Sequence, residues 1–129
     1  MGFFGLFGKK EKHLTEKELK WNRMWELWAD GKIETPYAEL MTYQSEVNNG
    51  GHAQYFDNVE NIGDLQKEIS ALEQILPQVL KDNLLKAYNA FSASEENSDE
   101  ILQKCDKVFS ENEEEIIRLL EEYSERTEL

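Results

Sequence analysis

Apolar residues recur along most of the chain at intervals of three and four, the period of one face of a helix. Trp21, Met24, Trp25 and Trp28 make the first such row. Thr15 and Glu18 precede it at capping-box spacing, with Leu14 and Leu19 at the positions of a hydrophobic staple, and Asp30-Gly31 ends it. Thr35-Pro36 opens a second helix with proline at its first position, and Tyr37, Leu40, Met41, Gln44 and Val47 line one face. Asn49-Gly50-Gly51 is predicted to close that helix, because glycine supplies a left-handed turn and Asn49 can adopt it or cap backbone amides. His52, Tyr55, Phe56 and Val59 then resume helical spacing. Asp64 is a predicted N-cap for a row of Leu65, Ile69, Leu72, Ile75 and Leu76, which Pro77 interrupts. Val79, Leu80, Leu84, Tyr88 and Phe91 form the next row, and Ser92–Glu100 is a polar linker. Ile101, Leu102, Cys105, Val108 and Phe109 follow. Ser110 and Glu113 offer a second capping box before Ile116, Leu119, Leu120 and Tyr123, although one helix from about Ser98 to Glu125 fits the same spacing. The expectation is an all-α fold: a single compact domain of about six helices with a helix–Gly-Gly–helix junction.

Composition supports one core, since 40% of the 129 residues are hydrophobic. The tryptophan row reads as core, not as a cofactor box. Charge adds a second theme: 27 acidic residues stand against 14 basic ones, a net charge of −13. Such a surface repels nucleic acid and anionic membrane, so no direct nucleic-acid binding is expected, and it attracts basic partners. The excess is concentrated: from Ala93 onward 13 acidic residues face only Lys104, Lys107, Arg118 and Arg126. A solubilising, solvated surface is the plain alternative.

Cys105 is the single cysteine, which excludes an internal disulfide and fits a reduced, cytoplasmic setting. No apolar run approaches the length of a membrane span. Residues 1–13 form a separate Phe/Lys-rich segment ahead of an acidic domain, 14–129. In it Phe3, Phe4, Leu6 and Phe7 precede Lys9, Lys10 and Lys12. The segment lacks the order of a secretory signal, and Leu6 stands where myristoylation needs Ser or Thr. Its apolar residues suit weak contact with a membrane surface or a groove on the protein.

Candidate chemistry is thin. His52 near Asp57 and Glu46 is a possible His–carboxylate base, but no nucleophile motif accompanies it. His13 and His52 are the two histidines, too few for a histidine metal site. Glu111, Glu113, Glu114 and Glu115 lack the E-x-x-H spacing of di-metal bundles. Gly50-Gly51 lacks the Lys and Ser/Thr of a phosphate loop. No catalytic residue, metal or cofactor is therefore expected, and the polar residues around Gly50-Gly51 read as satisfying a helix junction.

Glu46, Asn48, Asn49, Gly50, Gly51, Gln54, Tyr55, Phe56 and Asn58 together resemble the E-x-N-N-G-G-x-x-Q-[YF]-[FY]-x-N hallmark of the bacterial DNA-mimic protein domain family, catalogued mostly as a domain of unknown function. The segments around Asp106–Phe109 and Leu119–Tyr123 are similar to its closing D-x-x-F and L-L-x-x-Y pattern. The likeness spans roughly Trp21 to Tyr123. It implies an all-α fold and a mechanism in which surface carboxylates imitate DNA phosphates on the binding face of a basic, DNA-binding protein. The candidate partner-binding residues are Asp99, Glu100, Asp106, Glu111, Glu113, Glu114, Glu115, Glu121, Glu122 and Glu125. An immunity-type inhibitor of a basic nuclease would use the same acids. A membrane-surface adaptor would use the Phe-rich start instead.

Overall fold

The capping signals at Thr15 and Asp64 are both realised. In the first, the Glu18 amide donates to Thr15 Oγ1 at 3.0 Å while the Thr15 amide donates to the Glu18 carboxylate at 2.9 Å. In the second, the Lys67 amide donates to Asp64 Oδ1. The structure, a computed structural model, describes residues 14–128; the segment with Phe3, Phe4, Leu6 and Phe7 lies outside the described residues, and so does its suggested membrane contact. The described residues form five helices and no strand: α1 (Glu16–Ala29), α2 (Tyr37–Ile62), α3 (Leu65–Ile75), α4 (Gln78–Ala93) and α5 (Ser98–Ser124).

Five helices stand where about six were expected, because the seven apolar rows are joined at two predicted boundaries. Ser110 and Glu113 do not cap a new helix, since α5 passes straight through them. Glycine does not close the second helix either. α2 kinks at Gly50 (φ −156°, ψ 16°) and Gly51 (φ 80°, ψ 179°), and helix resumes beyond. Asn49 does not take the left-handed conformation; among the described non-glycine residues only Ser94 has positive φ. Pro36 stands one position earlier than expected, as the N-cap, and its peptide bond is cis. The break at Pro77 holds, because proline disfavours helix at the residue before it, and Leu76 is extended.

α5 is the spine. It packs against α4, α2 and α1, while α3 packs on α2. α2 and α5 run antiparallel: Tyr37 stacks on Tyr123 with ring centroids 4.0 Å apart, and Gln44 reaches Glu113. The core consists of fully buried side chains from all five helices, among them Met24, Tyr43, Tyr55, Phe56, Leu72, Leu84, Phe109, Ile116 and Leu120. α1 contributes only Met24 as a fully buried residue. Trp21, Trp25 and Trp28 pack against the core edge, partly buried, so the tryptophan row is the rim of the core and not its centre.

Candidate functional site

Helix phase sorts the acids of α5 into two sets. Leu102, Cys105, Phe109, Ile116 and Leu120 are buried, so positions three or four residues from these point inward. Asp106 and Glu113 fall beside that row. Glu100, Glu111, Glu114, Glu121, Glu122 and Glu125 fall opposite it and are exposed, with Asp99 exposed and Glu115 half-buried at the flanks. Because α5 is continuous, these eight carboxylates lie along one unbroken helix about 39 Å long at 1.5 Å per residue.

The inward pair is committed to the kink of α2. Asp106 Oδ1 accepts from the backbone amide of His52 at 2.8 Å and lies 2.7 Å from His52 Nδ1. His52 is fully buried, and its Nε2 lies 2.7 Å from the Tyr43 hydroxyl. A carboxylate only accepts, so Nδ1–H donates to Asp106, which leaves Nε2 facing the Tyr43 hydroxyl. Every polar atom of the ring is thereby satisfied. Burial, with the Cys105 and Asp106 charges behind it, pushes the Tyr43 phenol well above its ordinary range, so it stays a donor. Two turns further along α5, Glu113 Oε2 accepts from Gln44 Nε2 at 2.8 Å and from Asn48 Nδ2.

The remaining motif residues close the junction from inside α2. Glu46 Oε1 accepts from Gln54 Nε2 at 2.9 Å and Asn58 Nδ2 at 3.0 Å, clamping the two halves across the kink. The Tyr55 hydroxyl donates to Glu68 on α3 at 3.0 Å, and Phe56 is fully buried. Gly51 has a positive φ that side chains avoid. A Cβ there would also lie 3.0 Å from Asp106 Cγ and closer still to its oxygen. Asn49 and Asp57 are exposed. His52 pairs with neither Asp57 nor Glu46, the carboxylates weighed for it as a possible base, but with Asp106, a partner more than fifty residues away in sequence.

These contacts give Asp106 a pH signature. Burial works to raise its carboxyl, but the His52 ring and amide donating to it, together with the ring's charge, hold it below the ordinary 3.8. A carboxyl held lower in the folded state stabilises the fold above its unfolded value and loses that contribution as pH falls through the folded one. Urea midpoints measured from pH 6 down to pH 2.5 are expected to fall more steeply for the native chain than for Asp106→Asn. Parallel curves would show that the bond to His52 carries no net stability.

The outward set is not uniform. Lys104 pairs with Glu100 at 3.3 Å, and Arg118 pairs with Glu115 and, at 3.9 Å, with Glu122. These are exposed pairs, worth at most about 1 kcal/mol each. Glu111, Glu114, Glu121 and Glu125 make no ion pair with another described residue. Among the described residues no group of three or more His, Cys, Asp or Glu is placed to hold a metal ion. No described helix is long and apolar enough to cross a membrane.

A family model described as DMP19-like protein matches residues 34–127 of the chain. No curated protein and no solved structure matches it.

Proposed function

The chain belongs to the DMP19-like protein family, a DNA-mimic family, and from that premise we propose that it is a non-catalytic, cytoplasmic protein-binding domain whose exposed α5 face occupies the DNA-binding surface of a basic regulator. The observation that carries this reading is the continuity of α5. Mimicry needs acids fixed in one frame, and a single helix fixes Asp99, Glu100, Glu111, Glu114, Glu115, Glu121, Glu122 and Glu125 in one. Their density is of the right order. Eight carboxylates span about 39 Å, where one DNA strand places about eleven phosphates. Asp106 and Glu113 drop out of the binding set, because their carboxylates already accept from α2.

The Glu46–Asn58 motif serves this face indirectly. It stitches α2 to the inner side of α5 at two points seven residues apart, which fixes the inner side of the helix while its outer side stays charged. A rigid array meets a fixed lattice of Lys and Arg without first losing conformational entropy. An immunity-type inhibitor covering a basic nuclease cleft would use the same face. Capture from host lysate at low salt separates the readings. A DNA-binding protein is expected to be retained and to be displaced both by salt and by competing duplex DNA. Retention of a nuclease would select the inhibitor reading, and retention of nothing basic would reduce the acids to a solubilising coat.

A further inference from the structure

The charge balance of the surface inverts at one place. A cavity of about 380 Å³ lies where α1, the loop that follows it and the end of α5 meet. Three of the chain's 14 basic residues line it: Arg23 from α1, Lys32 from the loop and Arg126 just beyond α5. Leu27, Ile33 and Tyr123, all half-buried, supply its apolar wall. Glu34 and Glu128 also border it. Three cations against two acids leave this cavity with a formal charge of +1 in a chain of −13.

Helix dipoles account for the sign of the cluster, since cations are favoured where helices end. They do not account for how Arg126 is held. Its guanidinium carbon lies 4.9 Å from the Tyr123 ring centroid and 5.2 Å from that of Tyr37, and it donates to the Tyr37 hydroxyl at 2.9 Å. An arginine stacked in this way is fixed in place with N–H donors left over. Lys104 and Arg118 on α5 pair with acids one turn away. Arg126 and Lys32 make no ion pair with another described residue, although two acids border the same cavity. Glu34 faces the Tyr123 hydroxyl instead, at 3.5 Å. We propose that this cavity binds a small organic monoanion, an aromatic carboxylate, held by Arg126 and Lys32 with its ring against Leu27, Ile33 and Tyr123. Net charge decides the class: +1 matches a single negative charge, while Glu34 and Glu128 repel a phosphate dianion or a nucleic-acid backbone. The apolar wall rewards a ring over a bare ion, a guanidinium fork matches a carboxylate, and the volume falls within the range of small-molecule pockets. This reading does not rest on the outer face of α5.

The test titrates the isotope-labelled full chain with phenylacetate and follows backbone amide signals by NMR. Saturable shifts at Lys32, Ile33, Arg126 and Thr127 are expected, with a Kd of about 1 mM for so small a ligand. Phenylacetamide, which has the ring without the charge, and inorganic phosphate, which has the charge without the ring, are each expected to bind at least about tenfold more weakly. Arg126→Gln and Lys32→Gln should each weaken phenylacetate at least about fivefold. Arg126→Lys keeps the charge and should still lose affinity, because the stacked fork is gone. Lys67→Gln, an exposed charge on α3 away from the cavity, should leave affinity unchanged. Phenylacetamide binding as well as phenylacetate would make the cavity a merely apolar one and overturn the proposal. Phosphate binding as well as phenylacetate would reduce it to a charged patch, with the same consequence. An equal loss in Lys67→Gln would trace the effect to bulk charge and overturn it too, as would the absence of saturable shifts up to about 20 mM phenylacetate.

Discussion

Replacing Gly51 with alanine is expected to remove about 3 kcal/mol of stability. Two independent effects add at one position. The backbone there sits at φ 80°, ψ 179°, a region essentially closed to side chains. The new Cβ would also press on the Asp106 carboxylate, 3.0 Å from its Cγ. Relief by shifting Asp106 would break the bonds it accepts from the His52 amide and ring, leaving a buried imidazole without its partner. Such losses cost about 1–3 kcal/mol. Since domains of this size are stable by about 5–15 kcal/mol, a urea midpoint lower by roughly 1–2 M is expected. Gly50→Ala has a smaller expected effect. Its φ is negative, so no left-handed strain is added; its Cβ would press on the Gln54 amide, which can swing aside at the cost of its bond to Glu46, and would lie 2.9 Å from Gln54 Cβ. Coupling supplies the control: Asp106→Ala should cost less in the Gly51→Ala background than in the native chain. Additive losses, or a Gly51→Ala midpoint equal to the native one, would mean the kink is not held by this contact.

That kink shows what could be read from the sequence and what could not. Helical class, the Thr15 and Asp64 caps and the break at Pro77 are local, and local spacing predicted them. The glycine pair was also visible, but as the end of a helix and not as the kink inside one that it forms. Its partners were not, because Asp106 and Glu113 lie 54 and 65 residues from the groups they bind, and nothing local marks an acid that will turn inward. One signal was present. Glu113 falls four residues after Phe109 and three before Ile116, both buried, so the apolar phase of α5 places it on the inner side. Asp106 falls four after buried Leu102 on the same side. His52 likewise shares its row with Tyr55, Phe56 and Val59, whereas Asp57 does not. Counting every acid after Ala93 as equivalent obscured this, although the continuous helix from about Ser98 to Glu125, which the spacing also allowed, is the one that forms.

Neutralising the outer row should separate binding from folding. In Glu111→Gln/Glu114→Gln/Glu121→Gln/Glu122→Gln/Glu125→Gln, five exposed charges go and no buried bond is touched. The one ion pair lost, Glu122 with Arg118 at 3.9 Å, is worth under about 1 kcal/mol. Stability is expected to hold or rise slightly, because a chain with a net charge of −13 repels itself. Affinity for the captured basic protein should fall roughly a hundredfold or more at low salt, taking about 0.5–1 kcal/mol for each of the five pairs. The salt dependence should flatten with it, since fewer charge pairs remain to be screened. Asp106→Asn/Glu113→Gln should behave in the opposite way, lowering the urea midpoint while a folded fraction keeps its affinity. That reciprocal pattern is what an inner set holding the helix and an outer set meeting the partner require. Equal binding losses in both variants would mean that the carboxylates act as one diffuse field. Unchanged binding in the five-residue variant would move the interface off α5 altogether.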